Sequence, residues 1–573
     1  MGYVALRLAI VAAGVSAALF CAPALAQSAV PPALNTGKAW EVYKDHWSAE
    51  DEAGYSAFVQ LIGRSNCDSL ESCLKSDANP YRSAVDPTLR GDCADMAYVL
   101  RAYYAWKNGL PFSYQKSMAL AKTRREDIRY STKGNVVAER RQILNSVADA
   151  RPFLRRIGWE VSTAMFRTHP ITGGGRSHDD FYPVKISRET VRPGVIAYDI
   201  FGHVGIVYDV MDDGRVKVVA SHPDNSVSRS TYGPNFMRSQ PELGAGLKAW
   251  RPIRVEGADR ASDGSLVGGT LNAAANEALP GFSMEQYFGN VPASSGVWHE
   301  GAFQHNGRTL RYYDYVRRAL AAPDFAYDPV AELRFGLRSI CTAVKARKVA
   351  VDKARRARIH LKPHPTKLPP NIYGTYGEWE EYSTPSRDAR LKVSFIELRR
   401  EVQRLVEDVE AGDASVSYEG DNLAKDLADA FEDEKNKCTF TYWRSDETRM
   451  RLNLAHVMDR LFDLSFSPYH CPERRWGARG AEFATCTDDE TKTQWHNALR
   501  FLRYQAERTY DVRMDFSLNE LQPPMAAPPE AGGLGIDAPA DADIRAYLNR
   551  LNGVTTANAN DRGPATPVSY ARE

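Results

Sequence analysis

An α+β domain followed by a mainly helical, disulfide-bearing region is the fold class that this sequence predicts, on three observations. Met96, Val99, Leu100, Tyr103 and Trp106 recur at helical spacing. Residues 194–222, "GVIAYDIFGHVGIVYDVMDDGRVKVVASH", fill two runs with β-branched and aromatic residues around Asp212-Asp213-Gly214, the pattern of an antiparallel hairpin. Further on, Leu398, Val402, Leu405, Val406 and Val409 share one helical face, and Leu423, Leu427 and Phe431 share another. A helix feeding antiparallel strands, and then helices alone, argue two units of different architecture.

The elements follow in chain order. Arg7, an apolar stretch from Leu8 to Phe20 and Ala24-Leu25-Ala26 have the form of a secretory leader over 1–26, cleaved near Ala26, which places the mature chain in the periplasm or outside the cell. Bulky Phe20 before Cys21 does not suit a lipoprotein site, and no later apolar run is long enough to span a bilayer. Residues 40–254 carry the mixed helix and strand signals. Residues 255–280 are rich in Gly, Ala, Ser and Asp and read as a linker. Residues 281–521 read as the helical unit, with further helices expected around 449–464 and 491–510. The Pro/Ala/Gly-rich stretch 522–573 reads as a disordered tail, interrupted by a short helical signal at "IRAYLNRLN".

The net formal charge is +1, so no global field draws the chain to nucleic acid. Seven cysteines remain after the leader: Cys67, Cys73, Cys93, Cys341, Cys438, Cys471 and Cys486. An odd number in an oxidising compartment leaves a thiol unpaired. Cys67 and Cys73 are close enough to close a small loop, and Cys341, Cys438, Cys471 and Cys486 supply two bridges of open connectivity. Cys93 is the odd one out.

Cys93 falls in the first turn of the predicted helix, behind Gly91 and Asp92, with Asn108-Gly109 as its stop. The positive end of the helix dipole and unpaired backbone N–H groups there favour a thiolate, and the same N–H groups suit an oxyanion. A thiol nucleophile needs a base, and His203, which opens "HVGIVYDV", is the best placed. "ASHPDNS" supplies His222 or Asp224 to orient the imidazole.

These segments resemble the papain-like cell-wall cysteine hydrolases of the NlpC-like and CHAP-like families. "NPYRS" with Tyr81, "GDCADMAYVL" with Asp92 and Cys93, "GHVGIVYDV" with His203 and "ASHPDNS" with His222 stand in the order of that family's segments. The resemblance covers about residues 75–225. It implies a papain-like domain in which the Cys helix packs on an antiparallel sheet, a cysteine peptidase or amidase acting on peptidoglycan peptides, Tyr81 and Asp92 as substrate or oxyanion support, and no cofactor or metal. "PYRSAVD" lacks the family's paired glycines, and "DCADM" replaces Asp-Cys-Ser-Gly. "CADMAYVLRAYYAWKNGLPF" is also similar to transglutaminase-like enzymes, whose third residue is an Asp, which promotes Asp224. A catalytically inactive fold of this type used as a secreted binding module is the alternative of a different class.

Two other features have plainer readings. His169, His178, Asp179 and Asp180 flank Gly173-Gly174-Gly175, but their spacing matches no metal-ligand pattern and suits a polar loop. The basic run "KARKVAVDKARRARIHLKP" reads as a solvated helix face rather than a polymer or membrane site.

Overall fold

The computed structural model describes residues 30–122, 126–170, 178–223, 225–234, 236–373, 377–506, 514–521 and 538–553. The expected leader, Asp224, Gly173-Gly174-Gly175 and the stretches 522–537 and 554–573 of the expected tail lie outside the described residues.

The chain is mixed α/β with antiparallel sheets. It runs through α1 (Ala49–Arg64), α2 (Leu70–Lys75), α3 (Cys93–Lys107), the hairpin β1 (Phe112–Leu120) and β2 (Asn135–Ile143), α4 (Arg151–Glu160) and β3 (Phe181–Pro183). Then come β4 (Ile196–Asp199), β5 (His203–Val210), β6 (Val216–Ser221), β7 (Val227–Thr231) and β8 (Gly246–Trp250). These strands form one six-stranded sheet in the order β3-β8-β4-β5-β6-β7, antiparallel throughout. The expected turn at Asp212-Asp213-Gly214 joins β5 to β6, and the run expected as two strands supplies three.

α3 is buried along its whole length, because α1, α4, β1 and the six-stranded sheet pack around it. That burial takes its two cations inside, and each is matched. Arg101 pairs with Glu52 at 2.5 Å and lies over the Trp47 ring, while Lys107 pairs with Asp86 at 2.7 Å. Left uncompensated, a buried charge of this kind costs several kcal/mol.

Residues 255–280 are not a linker. β9 (Ile253–Arg260) and β10 (Leu266–Ala273) pair as a hairpin, and Val255 and Leu266 donate to the carbonyls of Asp45 and Val42. Small residues suit a hairpin with a wide exposed face, and its inward Val255, Leu266 and Leu271 are buried. Nor does the second unit begin at 281. α5 (Glu285–Phe288), the hairpin β11 (Phe303–His305) and β12 (Arg308–Leu310), and α6 (Tyr312–Leu320) cover the sheet face opposite α3, with Phe303, Tyr315 and Val316 packed on Val184, Val207 and Val218.

The helical unit follows: α7 (Pro329–Arg356), α8 (Glu378–Tyr382), α9 (Pro385–Glu410) and α10 (Leu423–Lys437). The segment expected as helix from 449 instead continues a hairpin, β13 (Thr439–Trp443) and β14 (Arg449–Asn453), because Met450 and Leu452 alternate inward. α11 (Leu454–Asp459), α12 (Pro472–Arg475), α13 (Glu490–Ala498), α14 (Arg500–Tyr504) and α15 (Ile544–Leu551) complete it. Part of the expected disordered tail is therefore ordered, since Ile544 and Leu548 are buried in the core formed by α7, α9 and α10. The basic run lies at the end of α7 and beyond it, and there Arg347, Lys348, Lys353 and Arg355 each meet a carboxylate. Disulfides join Cys67 to Cys73, Cys341 to Cys438 and Cys471 to Cys486. Among the described residues Cys93 is the free cysteine.

The two units are tied together by arginine-carboxylate pairs. Glu332 of α7 accepts from Arg215 and Arg317 at 2.8 and 2.6 Å, and Asp314 of α6 accepts from Arg404 of α9 at 3.0 Å.

Candidate functional site

Cys93 is the first residue of α3. Asp92 caps the helix, its carboxylate accepting the N–H groups of Ala94 at 2.9 Å and Asp95 at 3.2 Å, while the Asp95 carboxylate accepts the N–H of Asp92 at 2.9 Å. Gly91 is required beside this cap, because a Cβ there would lie 2.4 Å from that of Asp95. The end of β6 and the residues after it clamp the same point. Asn225 accepts from the Gly91 N–H at 3.1 Å, and the Ser221 hydroxyl donates to the Gly91 carbonyl at 2.6 Å. The helix start is thus fixed against the end of the sheet.

The clamp brings the thiol to the first residues of β5. The Val204 backbone N–H reaches the sulfur, and His203 is the residue before it. The β5-β6 ladder, extended past Ile206↔Val219, sets His203 opposite His222, and the two imidazoles stack in parallel with centroids 5.6 Å apart. His222 Nε2 is 2.7 Å from the Ser228 hydroxyl on β7. The thiol thus meets the backbone of Val204, next to His203 in the chain, and His222 faces His203 across the ladder. Among the described residues no hydrogen bond joins the thiol to the His203 ring, and His222 meets that ring through its face.

The other expected participants fare differently. Tyr81 does not reach the site: its ring packs on Phe58 and Tyr104, and its hydroxyl lies near Asn108 at the far end of α3, roughly 20 Å from Cys93 along the helix. The aromatic cluster under α1 claims it. Asp92 is used as the helix cap, so it supports the site through backbone geometry and not as an oxyanion donor. The Cys93 N–H is the first-turn donor that this cap does not take.

The electrostatics also correct the expected thiolate. Burial pushes the Cys93 thiol well above its usual value, and the Asp92 and Asp95 carboxylates push it further than the N–H groups of Val204 and Ala94 restore. Burial likewise holds the His203 imidazole down, to about 3, helped by the charges of Arg390, His222 and Arg387. The pair rests as neutral thiol and neutral imidazole. Burial and the neighbouring Asp92 raise Asp95 to about 7, so its carboxyl is only partly ionised near neutral pH.

Arg387 and Arg390 come from the first turns of α9. Arg390 is 3.4 Å from Asp199, the β4 residue paired with His203. Tyr373, before α8, lies on Phe201 with ring centroids 5.8 Å apart, and Glu380 of α8 pairs with Arg129 at 2.8 Å. The helical unit therefore borders the site, and Cys93 is left 8% exposed. Asp199 and these arginines escape sequence reasoning. Asp199 sits in an ordinary strand end, and Arg390 is 191 residues away from it with no motif around it.

No protein-family model, curated protein or solved structure matches this chain. No helix among the described residues is long and apolar enough to cross a membrane.

Proposed function

We propose that this chain is an exported thiol hydrolase with a papain-like N-terminal unit, cleaving peptide or amide bonds in peptidoglycan peptides. The observation that carries the reading is a buried helix start at which the free thiol meets the backbone of Val204, directly after His203 on the adjoining strand, with His222 stacked on His203. The resemblance of those three segments to cell-wall hydrolases supplies the substrate class. The three disulfides and the leader-like first residues support an oxidising destination.

In this reading His203 takes the Cys93 proton as the sulfur attacks the carbonyl, and the S–C bond forms while the Cys93 N–H faces the developing oxyanion. The C–N bond then breaks as His203 returns the proton to the amine. Water hydrolyses the thioester and restores the thiol. His222, held by Ser228, positions the His203 ring.

Incubation of the mature protein with cell-wall fragments, followed by mass analysis of the products, tests the reading. Cys93→Ala and His203→Ala are each expected to lower turnover by roughly 10²–10⁴-fold, because nucleophile and base act as one unit. His222→Ala is expected to cost less. Full turnover in the His203 variant removes the catalytic pair, and no turnover in the parent leaves a secreted binding module in its place.

A further inference from the structure

Trp159 is 91% exposed, against 62% for Val349, the next most exposed large apolar side chain among the described residues. It lies near the end of α4, whose opposite face is already spent on the core through Phe153, Leu154 and Ile157. Arg155 and Arg156 stand one turn earlier, at the two spacings that set side chains beside each other on a helix. Both are exposed, and no carboxylate among the described residues pairs with either. Isolated exposed valines need no explanation. An open indole beside two unneutralised guanidinium groups does.

The location supplies the second observation. α4 lies against the chain that leads into Cys93, and Gly158 marks the close approach: a Cβ there would lie 3.1 Å from the carbonyl oxygen of Arg90. Two residues, Gly91 and Asp92, separate Arg90 from Cys93, so the Trp159 backbone stands at most about 20 Å from the thiol, within the reach of a single polymer strand.

We infer that Trp159, Arg155 and Arg156 form a platform that holds the glycan-peptide polymer of the cell wall while a neighbouring peptide enters the Cys93 site. The inference rests on the proposed cell-wall hydrolase reading and adds a binding surface to it. The flat apolar indole matches the C–H face of a sugar ring, and the guanidinium pair matches stem-peptide carboxylates, which bind Arg through paired hydrogen bonds. A membrane surface also attracts Trp and Arg, but a bound amphipathic helix buries a whole apolar face in the lipid. α4 has one exposed apolar side chain of that size to offer.

The test is co-sedimentation of the mature chain with purified insoluble sacculi, using a Cys93→Ser background so that cleavage does not alter the binding surface. Trp159→Ala, and separately Arg155→Gln with Arg156→Gln, are expected to weaken retention at least fivefold. Because these side chains are exposed, the thermal midpoint should hold, which separates binding from misfolding. The arginine pair should carry the salt-sensitive part of the affinity. Unchanged retention in both variants overturns the platform, as does a parent that does not bind sacculi. Loss confined to phosphatidylglycerol vesicles assigns the patch to a membrane and overturns it too. Sacculi bound through Trp159 but never cleaved by the wild type leave the platform standing and remove the hydrolase reading. Cleavage with retention unaffected by these variants does the reverse.

Discussion

Replacing Asp92 with Asn is expected to make Cys93 more reactive, although the cap that positions it is kept. Asn ranks with Asp as an N-cap, and its side-chain oxygen still accepts the Ala94 and Asp95 N–H groups, so the helix start should survive at a cost of a few tenths of a kcal/mol. What the substitution removes is a carboxylate on the residue before the thiol. Charges on such neighbours lie about 5–6 Å apart, where repulsion is worth roughly 1 kcal/mol in water and about 3 kcal/mol at an effective dielectric of 20. That corresponds to roughly 0.5–2 pKa units, and a partly enclosed site lies between the limits. Asp95, pushed up to about 7 partly by the same carboxylate, should fall toward the ordinary range. The alkylation rate of Cys93 with iodoacetamide, measured at about pH 7.5 without reductant, should rise about tenfold in the variant. In the parent the rate should climb about tenfold per pH unit from about pH 6 to 9, as for a neutral thiol. A flat parent profile, or a folded Asp92→Asn protein alkylated no faster than the parent, refutes the neutral resting pair.

Three further outcomes follow from the same geometry. His364 is buried on Trp495, and burial holds its imidazole down to about 4, so the fold keeps it neutral while an unfolded histidine, near 6.5, takes a proton. Stability is therefore full above about pH 6.5 and falls toward pH 4 by up to about 1.4 kcal/mol per unit, and His364→Phe should remove about 2 kcal/mol of the difference between pH 7 and 5. Identical pH slopes in urea unfolding count against it. Arg390→Met removes a cation facing His203 and so raises the imidazole pKa, by about one unit; a His203 titration that does not move in NMR contradicts the assigned contact. Replacing Cys341 and Cys438 together by Ser opens a loop of 97 residues between α7 and the end of α10, with an expected cost of about 4–5 kcal/mol in denaturant unfolding, and a loss under about 1 kcal/mol places the stability of that unit elsewhere.

The sequence makes local order legible and long-range placement much less so. The helix from Cys93 and the strand from His203 were readable because periodicity, caps and the Asp-Gly turn act over a few residues. Cys93 stands out by the arithmetic of an odd cysteine. Residues 255–280 misled because glycine and alanine mark a flexible linker and the open face of a hairpin alike, and only the hydrogen bonds to Val42 and Asp45 distinguish them. Tyr81 misled because its place in the chain order matched, while its neighbours Phe58 and Tyr104, set by the packing of α1 on α3, decide where the ring goes. Arg390 carries no local signal at all.

The thiol shows why electrostatics were the least legible part. A helix N-terminus stabilises a nearby negative charge by at most about 2 kcal/mol, and a sequence reveals this term because it reveals the helix. The opposing terms are the burial of Cys93 under the sheet end and the carboxylates of Asp92 and Asp95, of which the first is tertiary. Desolvation of a buried ionisable group can reach several pKa units, more than the dipole supplies. The same cap that exposes N–H groups to the sulfur also brings the charge that discourages its ionisation. In the proposed reaction, thiol deprotonation accompanies attack, when the negative charge leaves the sulfur for an oxyanion facing the Cys93 N–H. The arginines of α9 act in the same direction on the resting site, since by disfavouring a protonated His203 they make a resting ion pair unfavourable, and for the same reason they oppose the proton transfer that attack requires.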